Sequence, residues 1–144
     1  MALLRMAHVP PPVVNPDVTV LDAVKEMARD RVGAVVVVEE GALLGIFTER
    51  DLMLRVVDVG RKPEGTLVRD VMTGEVKTIT ELSTTEEAMT VMLEGHLRHL
   101  PILGGGGKVL GLLSIRALLE ERLDNLTREV SSLEQYMAND GPGG

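Results

Sequence analysis

Cysteine and tryptophan are absent from the 144 residues, and one Phe and one Tyr are the only aromatic side chains. Without cysteine there is no disulfide framework, no thiol nucleophile and no cysteine zinc site. So few rings leave little for nucleobases to stack on, which argues against single-stranded nucleic acid as a partner. No Lys/Arg run is present and the net charge is −7, so a nucleic-acid phosphate backbone would be repelled. Apolar runs are short as well. Ala34 to Val38 is strand-sized, far below the roughly 20 residues of a membrane span. The opening MALLRMAHVPPP is too short and too soon broken by proline for a signal peptide. The expectation is a cytoplasmic protein with no nucleic-acid or membrane partner. Its core must be built from Val, Leu, Ile, Ala and eight Met.

The chain repeats itself. Ala23 and Met27 fall on Ala88 and Met92, 65 residues on. One extra residue in the Gly104 to Gly107 run moves the shift to 66. Gly45 then meets Gly111, Thr48 meets Ser114, Arg50 meets Arg116 and Leu52 meets Leu118.

Each half predicts the order β-α-β-β-α. In the first, Val13 and Val14 form a short strand, and Thr19 with Asp22 has capping-box spacing at a helix start. Val20, Val24, Met27 and Ala28 make its apolar face. The unbroken apolar run Ala34 to Val38, β-branched from Val35 on, reads as a strand buried on both faces. Glu40-Gly41 turns the chain into a strand over Leu43 to Thr48, and a helix runs from Glu49 to about Val57. In the second half Val76 to Ile79 is the first strand, Thr84 and Glu87 the capping pair, and Ala88, Met89, Met92 and Leu93 the apolar face. Strands His99 to Leu103 and Val109 to Ser114 follow, around the glycine turn.

The repeats are expected at residues 8–57 and 70–120, joined by a polar linker at 58–69. A final helix continues over 121–137, with a disordered tail at 138–144. Leu119, Leu123, Leu126, Val130, Leu133 and Met137 step by alternating fours and threes, a heptad seam. Such a helix either pairs with another copy or folds back on its own domain.

Two near-copies, GIFTERDL from Gly45 and GLLSIRAL from Gly111, carry the candidate chemistry. Each sets a hydroxyl, Thr48 or Ser114, where a strand ends and a helix begins. Free N–H groups and the helix dipole make that junction an anion site. Asp51, three after Thr48, suits a vicinal diol such as ribose, its carboxylate accepting two hydrogen bonds. The same pair equally describes a helix cap and a charge complementing the dipole. His96 and His99 have metal-ligand spacing, but they fall across a helix-to-strand boundary with no third ligand evident. The glycine run lacks the Lys and Ser/Thr of a phosphate-binding loop. No acid, base or nucleophile set is indicated, so no enzyme and no metal site is expected.

A duplicated β-α-β-β-α unit ending in a strand-to-helix G-h-x-[T/S]-x-x-D is similar to the CBS domain, named for cystathionine β-synthase. Asp70-Val71-Met72-Thr73 resembles the D-V-M-T that opens such units, and His99-Leu100-Pro101-Ile102 their H-L-P-V strand. The resemblance covers roughly residues 8 to 120. It implies an α/β (α+β) fold in which two repeats pack about a pseudo-twofold axis, extended here by the C-terminal helix.

It also implies two clefts, each lined by both repeats and able to hold an adenosine nucleotide (AMP, ADP or ATP, or NAD or S-adenosylmethionine) as regulatory ligand, with no cofactor required. Carried over, the first cleft takes Thr48 to phosphate, Asp51 to ribose and Ile46 to adenine. Thr73, Lys77 and Thr78 surround the base, and Leu97 and Arg98 lie near the phosphates. Gly33 holds the position equivalent to Arg98. The second cleft keeps Ser114, Pro12 and Arg116, but Ala117 replaces the ribose carboxylate, so it is expected weaker. Asp51 is expected to face open water. The function implied is a non-enzymatic sensor acting through conformational or oligomeric change, as a homodimer and on an effector protein in trans. A ligand-free dimerisation or adaptor module is the alternative.

Overall fold

The computed structural model describes the backbone of residues 2–139 and the side chains of residues 3–138. A short helix, α1 (Ala2–Met6), precedes the first repeat. That repeat comprises β1 (Val13–Val14), α2 (Val20–Asp30), β2 (Ala34–Glu39), β3 (Ala42–Thr48) and α3 (Glu49–Asp51), which continues through π-helical turns over Leu52–Val57. After α4 (Val68–Val71) the second repeat gives β4 (Ile79–Thr80), α5 (Thr85–Gly95), β5 (His99–Leu103), β6 (Val109–Ser114) and α6 (Ile115–Asn139). The expected α/β class and order hold. Each repeat makes a three-stranded sheet, β1-β2-β3 or β4-β5-β6, with its first pair parallel and its second antiparallel.

The unbroken run in β2 follows from its two covered faces. Val35 and Val37 join Val20, Ala23, Met27 and Phe47 in the first repeat's own core. Ala34 and Val36, on the other face, meet Ile46 and Leu112 in a core shared by the two sheets. Alternate residues thus serve two layers, and no polar residue fits between them. Glu40 and Gly41 both adopt positive φ, 51° and 79°, as a two-residue hairpin turn that follows the twist of its strands requires.

Several expectations change. The second repeat's first strand is Ile79–Thr80 rather than Val76 to Ile79, because Val76 packs into the shared core before pairing with β5 begins. Ala23, not Ala28, completes the buried stripe of α2; Ala28 is exposed beside the left-handed C-cap Arg31. Leu93 is 61% exposed, one helical step past the buried Met92. Thr19 and Thr84 accept the N–H of Asp22 and Glu87 as expected, but the reciprocal box closes at Thr48 and Asp51. The linker is not a free tether: Val20 N–H donates to Thr66 O at 2.8 Å and Val68 N–H to Val18 O at 2.9 Å.

Helix α1, which the proline-rich start concealed, sends Leu3 into the second repeat's core beside Leu100, Ile102 and Leu118. Helix α6 leaves the body after buried Leu118, and its seam residues are exposed, so it does not fold back on its own domain. It runs two residues past the expected end; the tail from residue 140 lies outside the described residues. Among the described residues no helix is long and apolar enough to cross a membrane.

Candidate functional site

Each sheet is extended by one residue from just before the opposite repeat's first strand. Thr73 pairs with Ile46 on β3, with N–H to O distances of 2.8 and 2.9 Å. His8, 65 residues before Thr73, pairs in the same way with Leu112 on β6, at 2.9 and 3.1 Å. These two clasps require a close approach. A Cβ on Gly45 would lie 2.7 Å from the Thr73 carbonyl oxygen and from Met72 Sδ, and one on Gly111 would lie 3.3 Å from the His8 carbonyl. The paired glycines are there to let the other repeat's backbone cross the strand.

Beside the first clasp, Thr48, Asp51, Ile46 and Thr73 come together as expected. Asp51 is only 7% exposed and already supplied with donors. Thr48 N–H and Oγ1 donate to Oδ2 at 3.0 and 3.2 Å, and Thr73 Oγ1 donates to Oδ1 at 3.0 Å. Arg55 Nε stands 3.7 Å from Oδ1, while its Nη1 donates to the Met72 carbonyl at 2.8 Å. The expectation of a carboxylate in open water is corrected. The capping box and the clasp bury it, so a ribose here must displace Thr73 or Arg55. Lys77 is exposed and Thr78 half-buried on the segment leading to β4. Neither makes a side-chain hydrogen bond among the described residues. Leu97 packs in the second repeat's core.

Open space lies at the other junction. A cleft of about 700 Å³ is lined by both repeats, with Gly33 from the first and Arg98, Ser114 and Arg116 from the second, against the His8 clasp. The antiparallel register explains the regrouping. His99 pairs with Ser114, so Arg98 stands at the Ser114 end of its own sheet rather than with Asp51. Pro12 is buried and receives the Val36 N–H on its carbonyl at 2.8 Å, which makes it part of the β1 approach and not of the cleft wall.

Ser114 Oγ accepts the Ala117 N–H at 3.1 Å, and the Ile115 N–H donates to Arg98 O at 2.8 Å. Two of the amides expected to be free for an anion are therefore occupied, and the positive charge of the cleft comes from side chains. Arg31, Arg98 and Arg116 line it against Asp30 and Glu49. His99 also lines it, and burial holds its pKa below the ordinary histidine value, against the opposing pull of Glu49.

Sequence reasoning missed His8, Arg31, Glu49 and His99 as wall residues. His8 was within reach, since the repeat sets it on Thr73. The others needed the packing of one repeat on the other. His96 is the exposed left-handed C-cap of α5, while His99 faces the cleft. Among the described residues no three His, Asp or Glu side chains gather as a metal site.

Comparison with known proteins agrees with this architecture. The CBS domain profile matches residues 4–58 and 68–124. The mitochondrial CBS domain-containing protein CBSX3 of Arabidopsis thaliana is 41% identical over 121 residues, 78% of this chain and 58% of that protein. The chain therefore spans little more than half the length of that relative. A crystal structure of the CBS domain NE2398 superposes with a TM-score of 0.80 at 34% identity, covering 85% of this chain and 94% of the other. The fold is also that of the CBS domain protein PAE2072 from Pyrobaculum aerophilum, solved in complex with AMP (TM-score 0.72, 22% identity, 80% and 88% covered). With both repeats matched, this chain belongs to the CBS-domain family.

Proposed function

We propose that the chain is a non-enzymatic regulatory module that binds an adenosine nucleotide between its repeats and signals through conformational or oligomeric change. The observation that carries this reading is the cleft of about 700 Å³ at the Ser114 junction, walled by three arginines and two carboxylates. That volume suits a small ligand, and the charge balance suits a phosphate. AMP in a protein of the same fold supports the ligand class. Because both repeats wall the cleft, a ligand in it favours one relative arrangement of the two, to the extent that it binds that arrangement better. The Thr48/Asp51 junction is a second site in this reading, closed until Thr73 or Arg55 yields. The chain then acts on an effector protein in trans and as a homodimer through the exposed seam of α6.

The test is calorimetry with AMP, ADP, ATP, NAD and S-adenosylmethionine, alongside thermal melts. A ligand at 100 times its dissociation constant that binds only the folded state adds about 2.7 kcal/mol. Arg98→Ala is expected to weaken binding about tenfold or more, as loss of a charge-assisted phosphate contact does. Normal affinity in Arg98→Ala overturns the placement. No response to any of these compounds at millimolar concentration overturns nucleotide sensing and leaves the adaptor reading, which the internally satisfied Asp51 favours.

A further inference from the structure

Among the described residues nothing covers the seam of α6. Leu119, Leu123, Leu126 and Val130 are 43–62% exposed, and Leu133 and Met137 are 62% and 71% exposed. We propose that the Leu119 to Val130 part of this face docks α6 of a second copy, antiparallel, about a dyad that passes between Asp124 and Asn125. The proposal rests on the self-association part of the reading above and not on its nucleotide.

The flanking charges choose the orientation. With Leu119, Leu126 and Leu133 at d, and Leu123, Val130 and Met137 at a, position g holds Arg122, Glu129 and Tyr136, and position e holds Glu120, Thr127 and Glu134. A parallel pair sets each g against the following e of its neighbour. Glu129 would then face the partner's Glu134 on both sides of the dimer, and Arg122 would face a threonine.

Reversing one helix turns g toward g and e toward e. At full overlap Glu129 meets its own copy and Glu120 meets the partner's Glu134, again like against like. Shortened by one heptad, Leu119 packs on the partner's Val130 and Leu123 on the partner's Leu126. Arg122 now faces the partner's Glu129, twice by symmetry, and Glu120 faces the partner's Thr127. Sliding one heptad the other way leaves no opposite-charge pair. One register therefore combines four apolar layers with two ion pairs and no like-charge pair.

The charges within the chain agree. Glu120 is already held by Arg116 at 3.1 Å, whereas Arg122 and Glu129 have no ion-pair partner among the described residues. Four layers are short for a free-standing coiled coil. Here the helix is anchored at Leu118 and presented already formed, which lowers the ordering cost of docking.

The absence of cysteine makes the test direct. Leu119→Cys and Val130→Cys chains are oxidised separately and as an equimolar mixture, without nucleotide. In the antiparallel register the two copies of position 119 lie about 16 Å apart along the axis, beyond the roughly 7 Å that a disulfide tolerates between Cα atoms. Each variant alone should stay uncross-linked, and the mixture should give a heterodimer. Self-cross-linking of either variant overturns the register. In sedimentation, Glu129→Arg should weaken the dimer severalfold and the double variant R122E/E129R should restore it; tightening by Glu129→Arg alone is the parallel result and overturns the proposal. A chain that is monomeric and uncross-linked throughout overturns helix pairing while leaving nucleotide binding to stand or fall on calorimetry.

Discussion

Replacing Asp51 with alanine tests the reading of its junction without any ligand. In the folded chain the carboxylate is 7% exposed and accepts hydrogen bonds from Thr48 N–H, Thr48 Oγ1 and Thr73 Oγ1. Asp51→Ala removes the reciprocal half of the cap on α3, which costs about 1 kcal/mol. It also leaves the Thr73 hydroxyl and the Thr48 amide without their acceptor in a confined space, at about 1–3 kcal/mol. Arg55 adds little, since its side chain is 51% exposed and water screens the pair. The sum is a loss of about 2–4 kcal/mol, a large share of the roughly 5–15 kcal/mol of an ordinary domain. Asp51→Asn keeps one acceptor oxygen and should lose about half as much. Urea unfolding of the nucleotide-free protein at one fixed concentration reads the difference as a lowered midpoint at unchanged slope, with self-association held constant. A loss below about 0.5 kcal/mol in Asp51→Ala, the range of an ordinary surface change, would mean that the carboxylate is solvated and the buried network is wrong.

Two further outcomes follow from the packing. Gly45→Ala should destabilise by about 1–3 kcal/mol as an overpacked contact, because its methyl meets the Thr73 carbonyl at 2.7 Å. Gly111→Ala, with nearest contacts of 3.1–3.3 Å, should cost less; equal losses by urea unfolding would contradict the asymmetry of the clasps. For His99, burial lowers the folded pKa below the unfolded value. The unfolded chain therefore takes up a proton first as pH falls, so the contribution of His99 is intact above about pH 6.5 and declines below it until the folded pKa is reached. His99→Gln should show a shallower fall in urea midpoint between pH 8 and pH 5 than the parent, and parallel curves would remove His99 as the cause.

The duplication, the order of elements and the location of the two junctions were legible in the chain because each rests on local rules. Thr19 and Thr84 stand where helix amides need acceptors, Glu40-Gly41 supplies positive φ, and the unbroken apolar run Ala34 to Val38 states that both faces of β2 are covered. The pairing of Thr48 with Asp51 was legible for the same reason, since three residues of separation close a cap within one turn. Tertiary structure decided what those residues face. Thr73 lies 22 positions beyond Asp51, and only the crossing of one repeat over Gly45 brings its hydroxyl to the carboxylate and fills the place expected for a ligand. Strand register, a long-range property, moved Arg98 to the Ser114 end of its sheet, where packing of the two repeats left the open cleft. Helix α1 escaped notice because five residues carry too little periodicity to announce a helix, and burial of Leu3 against Leu100, Ile102 and Leu118, far along the chain, is what holds it in place.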